Sequence, residues 1–203
     1  MDANGWNSKY DTDEYVFTTT VNRFVEEYCE DLEPGSMIDL AGGEGRNAIW
    51  FAERGWQVEN IDFSKKALAK SLKLAKDRGV SKLHFAILAD ATGFESVLTP
   101  VDLGVIAYLQ LDQESLARAI ENLVENIKDG GTFFGVWHAR DNLTQGFGGP
   151  QNPEVLPTVE SLREICDGLP LEIEVLTNRD GQVQTREGLK PSITVVLKAR
   201  VHR

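Results

Sequence analysis

The sequence predicts an α/β fold with a mostly parallel β-sheet, and two observations support this. Short apolar segments alternate with segments of helical periodicity, in the order β-α-β-α-β-loop-β-α-β with brief connections. Several apolar segments are nearly continuous, which is typical of strands covered on both faces. A chain of 203 residues can bury a large core as one domain. We therefore expect residues 1–203 to form a single domain.

The first half of the chain alternates between predicted helices and strands. Residues 1–18 show no regular pattern, and a helix follows behind Thr20, where apolar residues recur at helical spacing. The next segments are the strand MIDLA, the helix GRNAIWFAERG with Gly55 at its end, the strand WQVENID, the helix SKKALAKSLKLAKDRG between Ser64 and Gly79, and the strand LHFAILAD. The polar Gln57 and Glu59 within WQVENID need partners or solvent.

The second half continues the pattern and then changes character. The strand VDLGVIAYL leads to a helix capped by Asp112, and the strand GGTFFGVWH follows. Residues 139–157 are rich in Gly, Pro and Asn and predict a long loop without elements of its own, as in lids and binding loops. A short helix capped by Thr158 and two strands, LEIEVL and SITVVLKARV, joined as a hairpin, complete the chain.

Charge and cysteine content restrict the classes of partner. The net charge is −11, whereas nucleic-acid-binding proteins usually carry a basic surface. The N-terminus is polar and acidic, unlike a signal peptide, and no apolar run has the length of a spanning helix. Cys29 and Cys166 fall at apolar helix positions, as buried thiols do in a reducing compartment, and with three scattered histidines they predict no metal site. We expect a cytoplasmic protein without nucleic-acid, membrane or metal partners.

A glycine-rich turn, residues 39–48 (DLAGGEGRNA), joins the first strand of the sheet to the helix after it. Its Gly43-x-Gly45-x-x-Ala48 spacing fits a dinucleotide fingerprint, in which glycines let the backbone approach a ligand. Asp62 lies 19 residues after Gly43, at the end of the next strand, where a carboxylate can accept hydrogen bonds from both ribose hydroxyls. The ribose is common to NAD and S-adenosylmethionine (SAM), so Asp62 does not discriminate between them.

Asp39 favours SAM over NAD. It lies inside a predicted buried strand, where a carboxylate is costly unless it is hydrogen-bonded. It could accept from N–H groups of the turn or face a cationic ligand, and SAM carries an ammonium and a sulfonium. Asp90, at the end of the third strand, could meet an adenine amine or simply form a turn.

Longer stretches carry a family resemblance. The segment DLAGGEGRNAIWFAERGWQVENIDFSKKAL, with ILADAT and AYLQL downstream, resembles the class I SAM-dependent methyltransferases. More narrowly, the chain is similar to a small bacterial subfamily related to tellurite-resistance and thiopurine methyltransferases, through Trp6 and Tyr10, the segment VNRF and the loop RDNLTQGFGGPQNPEVL. This resemblance implies a Rossmann-like, seven-stranded, mostly parallel sheet of order 3-2-1-4-5-7-6, with the last strand antiparallel and helices on both faces.

The resemblance also implies a set of cofactor-binding residues. Residues 1–35 would form an N-terminal cover and helix, and residues 139–157 a loop near the active site. The residues expected at SAM are Trp6, Tyr10, Arg23, Asp39, Ala41, Gly43, Gly45, Arg46, Asn47, Asp62, Phe63, Asp90, Ala91 and Tyr108. Ala41 stands where many relatives have glycine. For Arg23, pairing with the methionine carboxylate competes with a salt bridge to Glu26 or Glu27.

Catalytic candidates come from the ends of the fourth and fifth strands. Tyr108 and Gln110 lie in AYLQL, and His138 ends the fifth strand at the same edge of the sheet. Methyl transfer from SAM mainly requires alignment and exclusion of water, with a base only for a protonated acceptor.

The acceptor is less strongly constrained. The chain lacks the Asn-Pro-Pro-Tyr signature of amino-methylation on bases and is acidic, so we expect a small-molecule acceptor, such as a thiol or chalcogen oxyanion. Two alternatives remain open, an NAD-linked oxidoreductase using the same turn and a SAM-binding protein without turnover.

Overall fold

A computed structural model describes residues 2–185 and 187–203. Within them, seven strands form one sheet in the order β3-β2-β1-β4-β5-β7-β6. The strands are Ser36–Leu40 (β1), Gln57–Asp62 (β2), His84–Leu88 (β3), Val101–Ala107 (β4), Ile127–His138 (β5), Leu171–Thr185 (β6) and Gly188–Val201 (β7). The first five strands pair in parallel, and β7 runs antiparallel to both β5 and β6. The predicted class I strand order, with its antiparallel last strand, is confirmed.

Helices cover both faces of this sheet. They are Ala3–Tyr10 (α1), Arg23–Cys29 (α2), Arg46–Ala52 (α3), Lys65–Asp77 (α4), Gln113–Glu125 (α5), Asn142–Gln145 (α6) and Val159–Cys166 (α7). Successive residues of a strand point to opposite faces, so Met37 packs in the layer of α2 and α3 while Ile38 packs in the layer of α5 and α7. No helix within the described residues is long and apolar enough to cross a membrane.

Capping chemistry sets several helix starts at the predicted residues. The side chains of Ser64, Asp112 and Thr158 accept backbone N–H groups at the starts of α4, α5 and α7. The expected cap at Thr20 is wrong, because Asn22 accepts from the N–H groups of Phe24 and Val25 and α2 begins three residues after Thr20.

Two segments predicted to be irregular contain helices. Residues 1–18 include α1, whose first turn is capped by Asp2 and which packs against α4. The loop 139–157 contains α6 and a short 3-10 helix, Pro153–Val155. The side chain of Asn142 ties this loop together by donating to the carbonyls of Phe147 and Gly148.

The polar residues within β2 differ in burial. Gln57 is exposed, whereas Glu59 is fully buried. Its carboxylate accepts from Ser96 Oγ at 2.5 Å and from the Val97 N–H at 2.8 Å. Glu59 therefore holds the connection between β3 and β4 against the sheet.

Candidate cofactor site

The glycine-rich turn lies at the carboxyl end of β1, where ligands bind in open α/β sheets. Ala41, Gly43 and Gly45 all adopt left-handed backbone conformations, with φ of 57°, 57° and 84°. Gly45 starts α3 and has no room for a side chain, because a Cβ there would overlap Ser71 Oγ. The turn is therefore tightly wound, and Ala41 holds a conformation that glycine would adopt with less strain.

A buried polar layer supports the turn from beneath. Asn60 Nδ2 donates to the Gly43 carbonyl at 3.1 Å and to Ser71 Oγ at 2.8 Å, and Ser71 Oγ lies 2.8 Å from His84 Nε2. His84 is buried, and burial lowers its pKa to about 4, so its imidazole is neutral at physiological pH. This layer fixes the Gly43 peptide from the side opposite the cleft.

Asp39 belongs to this supporting layer. Its carboxylate is fully buried, and Oδ2 accepts from the Ala48 N–H at 3.1 Å while Oδ1 has no protein partner. Burial raises the pKa of Asp39 to about 7, opposed by the Ala48 hydrogen bond and by the charge of Arg46. Asp39 is therefore screened from the cleft by the turn, and it can influence a bound cation through its charge rather than by open contact.

Asp62 ends β2 beside the turn. Its Oδ2 accepts from the Gly43 N–H at 2.9 Å and its Oδ1 from the Ser64 N–H at 2.8 Å. Burial raises the pKa of this carboxyl, and its backbone hydrogen bonds act in the opposite direction. Asp62 thus joins the turn to the start of α4, and each oxygen retains a lone pair for a ligand hydroxyl.

Helix α1 covers the turn. Tyr10 is buried, and its hydroxyl lies 3.1 Å from the position that a Cβ on Gly43 would take. Trp6 stacks on Tyr10 with ring centroids 5.5 Å apart. Asn7 anchors the helix, since its Oδ1 accepts from Ser64 Oγ at 2.9 Å. Trp6 and Tyr10 therefore lie over the turn, and their contact with SAM stays a prediction.

A buried ion pair fastens the segment that follows α1. Glu44, inside the glycine-rich turn, accepts from the N–H groups of Val16 and Phe17 at 3.0 and 3.1 Å. Its Oε1 also lies 3.0 Å from Lys70 Nζ on α4. Lys70 Nζ in turn donates to the Glu14 carbonyl at 2.5 Å. We call this arrangement, Glu44 with Lys70 and residues 14–17, the cover latch.

The opposite side of the turn leads toward β4. Asn47, at the start of α3, accepts from the Asn22 N–H at 2.9 Å, and Asn22 Nδ2 lies 3.5 Å from the Tyr108 hydroxyl. The Arg46 guanidinium lies 6.0 Å from the centre of the Tyr108 ring. Arg23 is exposed and, among the described residues, forms no ion pair, so the expected alternative of a salt bridge to Glu26 or Glu27 is not observed.

Tyr108 and His138 lie side by side at the ends of β4 and β5. Their ring centroids are 4.7 Å apart, and Tyr108 has a left-handed backbone with φ of 63°, a strained conformation for a bulky residue. Burial lowers the pKa of His138, and its Nδ1 is buried without a partner. Gly149 of the 139–157 loop lies directly over the His138 ring.

Gln110 bridges this pair to the long loop. Its Oε1 accepts from the His138 N–H at 2.7 Å, and its Nε2 donates to the Val155 carbonyl at 2.6 Å. Both ends of the amide are thus engaged with backbone, so Gln110 positions His138 and the loop.

The remaining predicted residues lie at the ends of β2 and β3. Phe63 is half-buried directly after Asp62. Asp90 is exposed. Its Oδ1 accepts from the Thr92 N–H at 2.8 Å and from the Thr92 hydroxyl, so this oxygen already stabilises a turn of the chain. Ala91 is half-buried beside it.

Several residues of the site could not be recognised in the sequence. Glu44 stands in the turn itself, but its partners are 26 to 28 residues away. Asn60 and Ser71 have only one local signal, their polar character within apolar stretches. In the sequence, the one signal for Asn22 is that it is a residue type that often caps helices and stands next to the predicted helix start.

Comparisons with known proteins agree with this geometry. Residues 37–131 match the family model described as a methyltransferase domain. TehB from Haemophilus influenzae superposes with a TM-score of 0.73 at 17% identity, over 98% of this chain and 66% of that chain. The glycopeptide N-methyltransferase MtfA, solved in complex with SAM, superposes with a TM-score of 0.64 at 17% identity, over 88% of this chain and 92% of that chain. The resemblance to SAM-dependent methyltransferases is confirmed by the match over residues 37–131, and the superpositions show that the fold is shared.

Two curated relatives share shorter stretches. The tRNA 5-carboxymethoxyuridine methyltransferase of Escherichia coli K12 is 38% identical over 68 residues, 33% of this chain and 26% of that protein. The ribosomal RNA small subunit methyltransferase C of Alcanivorax borkumensis is 35% identical over 48 residues, 24% of this chain and 15% of that protein. The chain thus spans about a quarter or less of the length of these relatives.

These relatives contradict the expectation of a small-molecule acceptor and no nucleic-acid partner, because both are named for RNA substrates. Two steps of the reasoning were too broad. A net charge of −11 sums the whole chain and does not describe any one surface. The missing Asn-Pro-Pro-Tyr signature concerns only amino groups of bases and leaves other atoms of RNA open as acceptors.

Proposed function

We propose that this chain, whose residues 37–131 match a methyltransferase domain, is an enzyme that transfers a methyl group from SAM to an acceptor. The observation that carries the proposal is the wound turn with Asp62 at its flank. Gly43 faces the Tyr10 cover, while the turn is held rigidly from beneath by Asn60. This cradle combines close backbone approach with a buried carboxylate, which suits a nucleoside.

The residues around the turn would hold the parts of SAM. Asp62 would accept the ribose hydroxyls, with Phe63, Asp90 and Ala91 at the adenine. Arg46, Asn47 and Arg23 would face the methionine moiety. Arg23 directly follows Asn22, the residue that caps α2. The residues that would complete the site are Trp6 and Tyr10 as a cover, Gly43 and Gly45 as the cradle, and Asp39 and Ala41 as its support.

SAM supplies a methyl group already activated by the sulfonium charge. The protein therefore needs to orient the acceptor, exclude water and, for a protonated acceptor, remove a proton. Tyr108 and His138 are our candidates for contact with the acceptor. The lowered pKa of His138 keeps its imidazole neutral near pH 7, so it can accept a proton. Gln110 would act through the His138 backbone as a positioning residue.

RNA is the acceptor that we propose. The names of the curated relatives support it, although their matches are short. We also propose a cytoplasmic location in a bacterium, which suits two cysteines that are both free and buried.

The experiment measures transfer of tritiated methyl groups from SAM to bulk tRNA, to rRNA, and to a panel of thiols and chalcogen oxyanions. We expect acid-precipitable counts that ribonuclease releases, and their loss in Asp62→Ala. Counts confined to the small molecules would contradict the RNA acceptor while leaving methyl transfer intact. Binding of S-adenosylhomocysteine without counts in any sample would favour a SAM-binding protein without turnover.

A further inference from the structure

The basic residues of this acidic chain are concentrated in one segment. Residues 65–82, which cover α4 and the turn after it, contain seven Lys or Arg and one Asp. The rest of the chain contains 14 basic and 31 acidic residues. This segment is therefore positive although the whole chain is strongly negative.

Four lysines of this segment point into solvent. Lys65, Lys73 and Lys76 on α4 and Lys82 just after it are exposed, and none of them forms an ion pair within residues 2–185 and 187–203. We call these four residues the basic face. Its neighbour Lys70 is different, because it points inward to the cover latch.

Exposed apolar side chains lie on α4 and on the edge strand β3. Leu72 lies on α4 among the lysines, and Phe85 and Leu88 lie on β3, the edge strand of the sheet. His84 contacts Ser71 on α4, so Phe85, the next residue of β3, points to the opposite face of the sheet. Leu72 is therefore the exposed apolar side chain that lies among the lysines, whose ammonium groups can bind phosphates.

The basic face begins at the cofactor site. Helix α4 starts three residues after Asp62, and the Ser64 N–H that opens it bonds to the Asp62 carboxylate. Strand β3 is three strands from β4, about 15 Å across the sheet at the usual strand spacing, and α4 runs from the Asp62 end of β2 back to the start of β3. RNA bound along α4 therefore extends past helix α1, which packs on α4, to reach the candidate catalytic pair.

We propose that the basic face is the docking surface for the RNA acceptor, an inference that rests on the proposed function. The four lysines contact phosphates of the RNA backbone. Lysine contacts to phosphate carry little sequence information, so the face supplies affinity and the Tyr108–His138 side of the cleft selects the methylated atom.

The test compares two charge reversals of equal size. Lys73→Glu with Lys76→Glu alters the basic face, and Arg118→Glu with Arg163→Glu alters exposed residues of α5 and α7 on the other side of the sheet. Fluorescein-labelled tRNA and a single-stranded 20-nucleotide RNA are titrated at several salt concentrations. We expect the first pair to weaken binding by roughly tenfold or more and to lower the salt slope by about 1.4, and the second pair to change little.

Separate readouts distinguish this inference from the proposed function. The melting-temperature increase with S-adenosylhomocysteine should be equal in all variants, since neither pair touches the cofactor site. If the Glu variants are unstable, Lys73→Gln with Lys76→Gln replaces them. It should give a smaller loss of RNA binding, because it removes the positive charges without reversing them. Equal losses in both charge pairs would overturn the docking surface alone. No RNA binding by a wild type that responds to S-adenosylhomocysteine would overturn the docking surface and the RNA acceptor together. A wild type that binds RNA but not S-adenosylhomocysteine would instead overturn the proposed function.

Discussion

The cover latch makes a quantitative prediction for Glu44→Gln. Three donors, the N–H groups of Val16 and Phe17 and the Lys70 ammonium, share two carboxylate oxygens in a buried setting. Glutamine offers one oxygen, so at least one donor loses its acceptor. A hydrogen bond to a charged group contributes about 1.5–3 kcal/mol, and we expect the latch to open roughly 10- to 150-fold more often.

Hydrogen exchange of the Val16 and Phe17 amides measures this opening directly. Glu53→Gln is the matched control, because Glu53 pairs with Arg78 at 3.1 Å in a solvent-exposed salt bridge, which contributes at most about 1 kcal/mol. The control should leave exchange at Val16 and Phe17 unchanged. Wild-type exchange in Glu44→Gln, or acceleration shared equally by amides of the central strand β4, would refute a local latch.

Three further predictions concern the turn and its support. Asp62→Asn leaves one oxygen for the N–H groups of Gly43 and Ser64, so calorimetry should find S-adenosylhomocysteine bound roughly 10- to 100-fold more weakly; unchanged affinity would contradict the assigned site. Ala41→Gly relieves a left-handed backbone, and chemical denaturation should show a gain of up to about 1 kcal/mol; a loss would mean that the Ala41 methyl group contributes more by packing than its strain costs. Asp39 has a folded pKa of about 7, above its unfolded value of 3.8, so it binds its proton more tightly when folded and stabilises the protein most at low pH. The stability of Asp39→Asn relative to wild type should therefore rise between pH 4 and pH 7 and stay level above it, and a flat difference across that range would contradict the raised pKa.

The sheet and its flanking helices could be predicted because their signals are local. Caps at Ser64, Asp112 and Thr158 depend on residues within one helical turn. Helix α1 was missed because its sequence, ANGWNSKY, has little apolar periodicity, and its packing on α4 depends on Asn7 meeting Ser64. Tertiary contacts, rather than propensity, determine such a segment.

The sequence predicts which residues surround the glycine-rich turn, but not which side of the turn each of them occupies. The chain position of Asp62 places it beside Gly43, as expected. Of the two alternatives for Asp39, the structure shows acceptance from an N–H group of the turn, that of Ala48, because side-chain alternation along β1 directs the carboxylate toward α3. The partners of Glu44 and Glu59 lie more than 25 residues away in sequence, and periodicity within one segment contains no information on them.

Thermal denaturation with S-adenosylhomocysteine and with NAD tests the central claim, that the glycine-rich turn binds SAM, most directly. The account predicts a higher melting temperature with S-adenosylhomocysteine, a smaller increase in Asp62→Asn, and no change with NAD. A melting temperature raised by NAD and unaffected by S-adenosylhomocysteine would contradict it and favour an NAD-linked oxidoreductase.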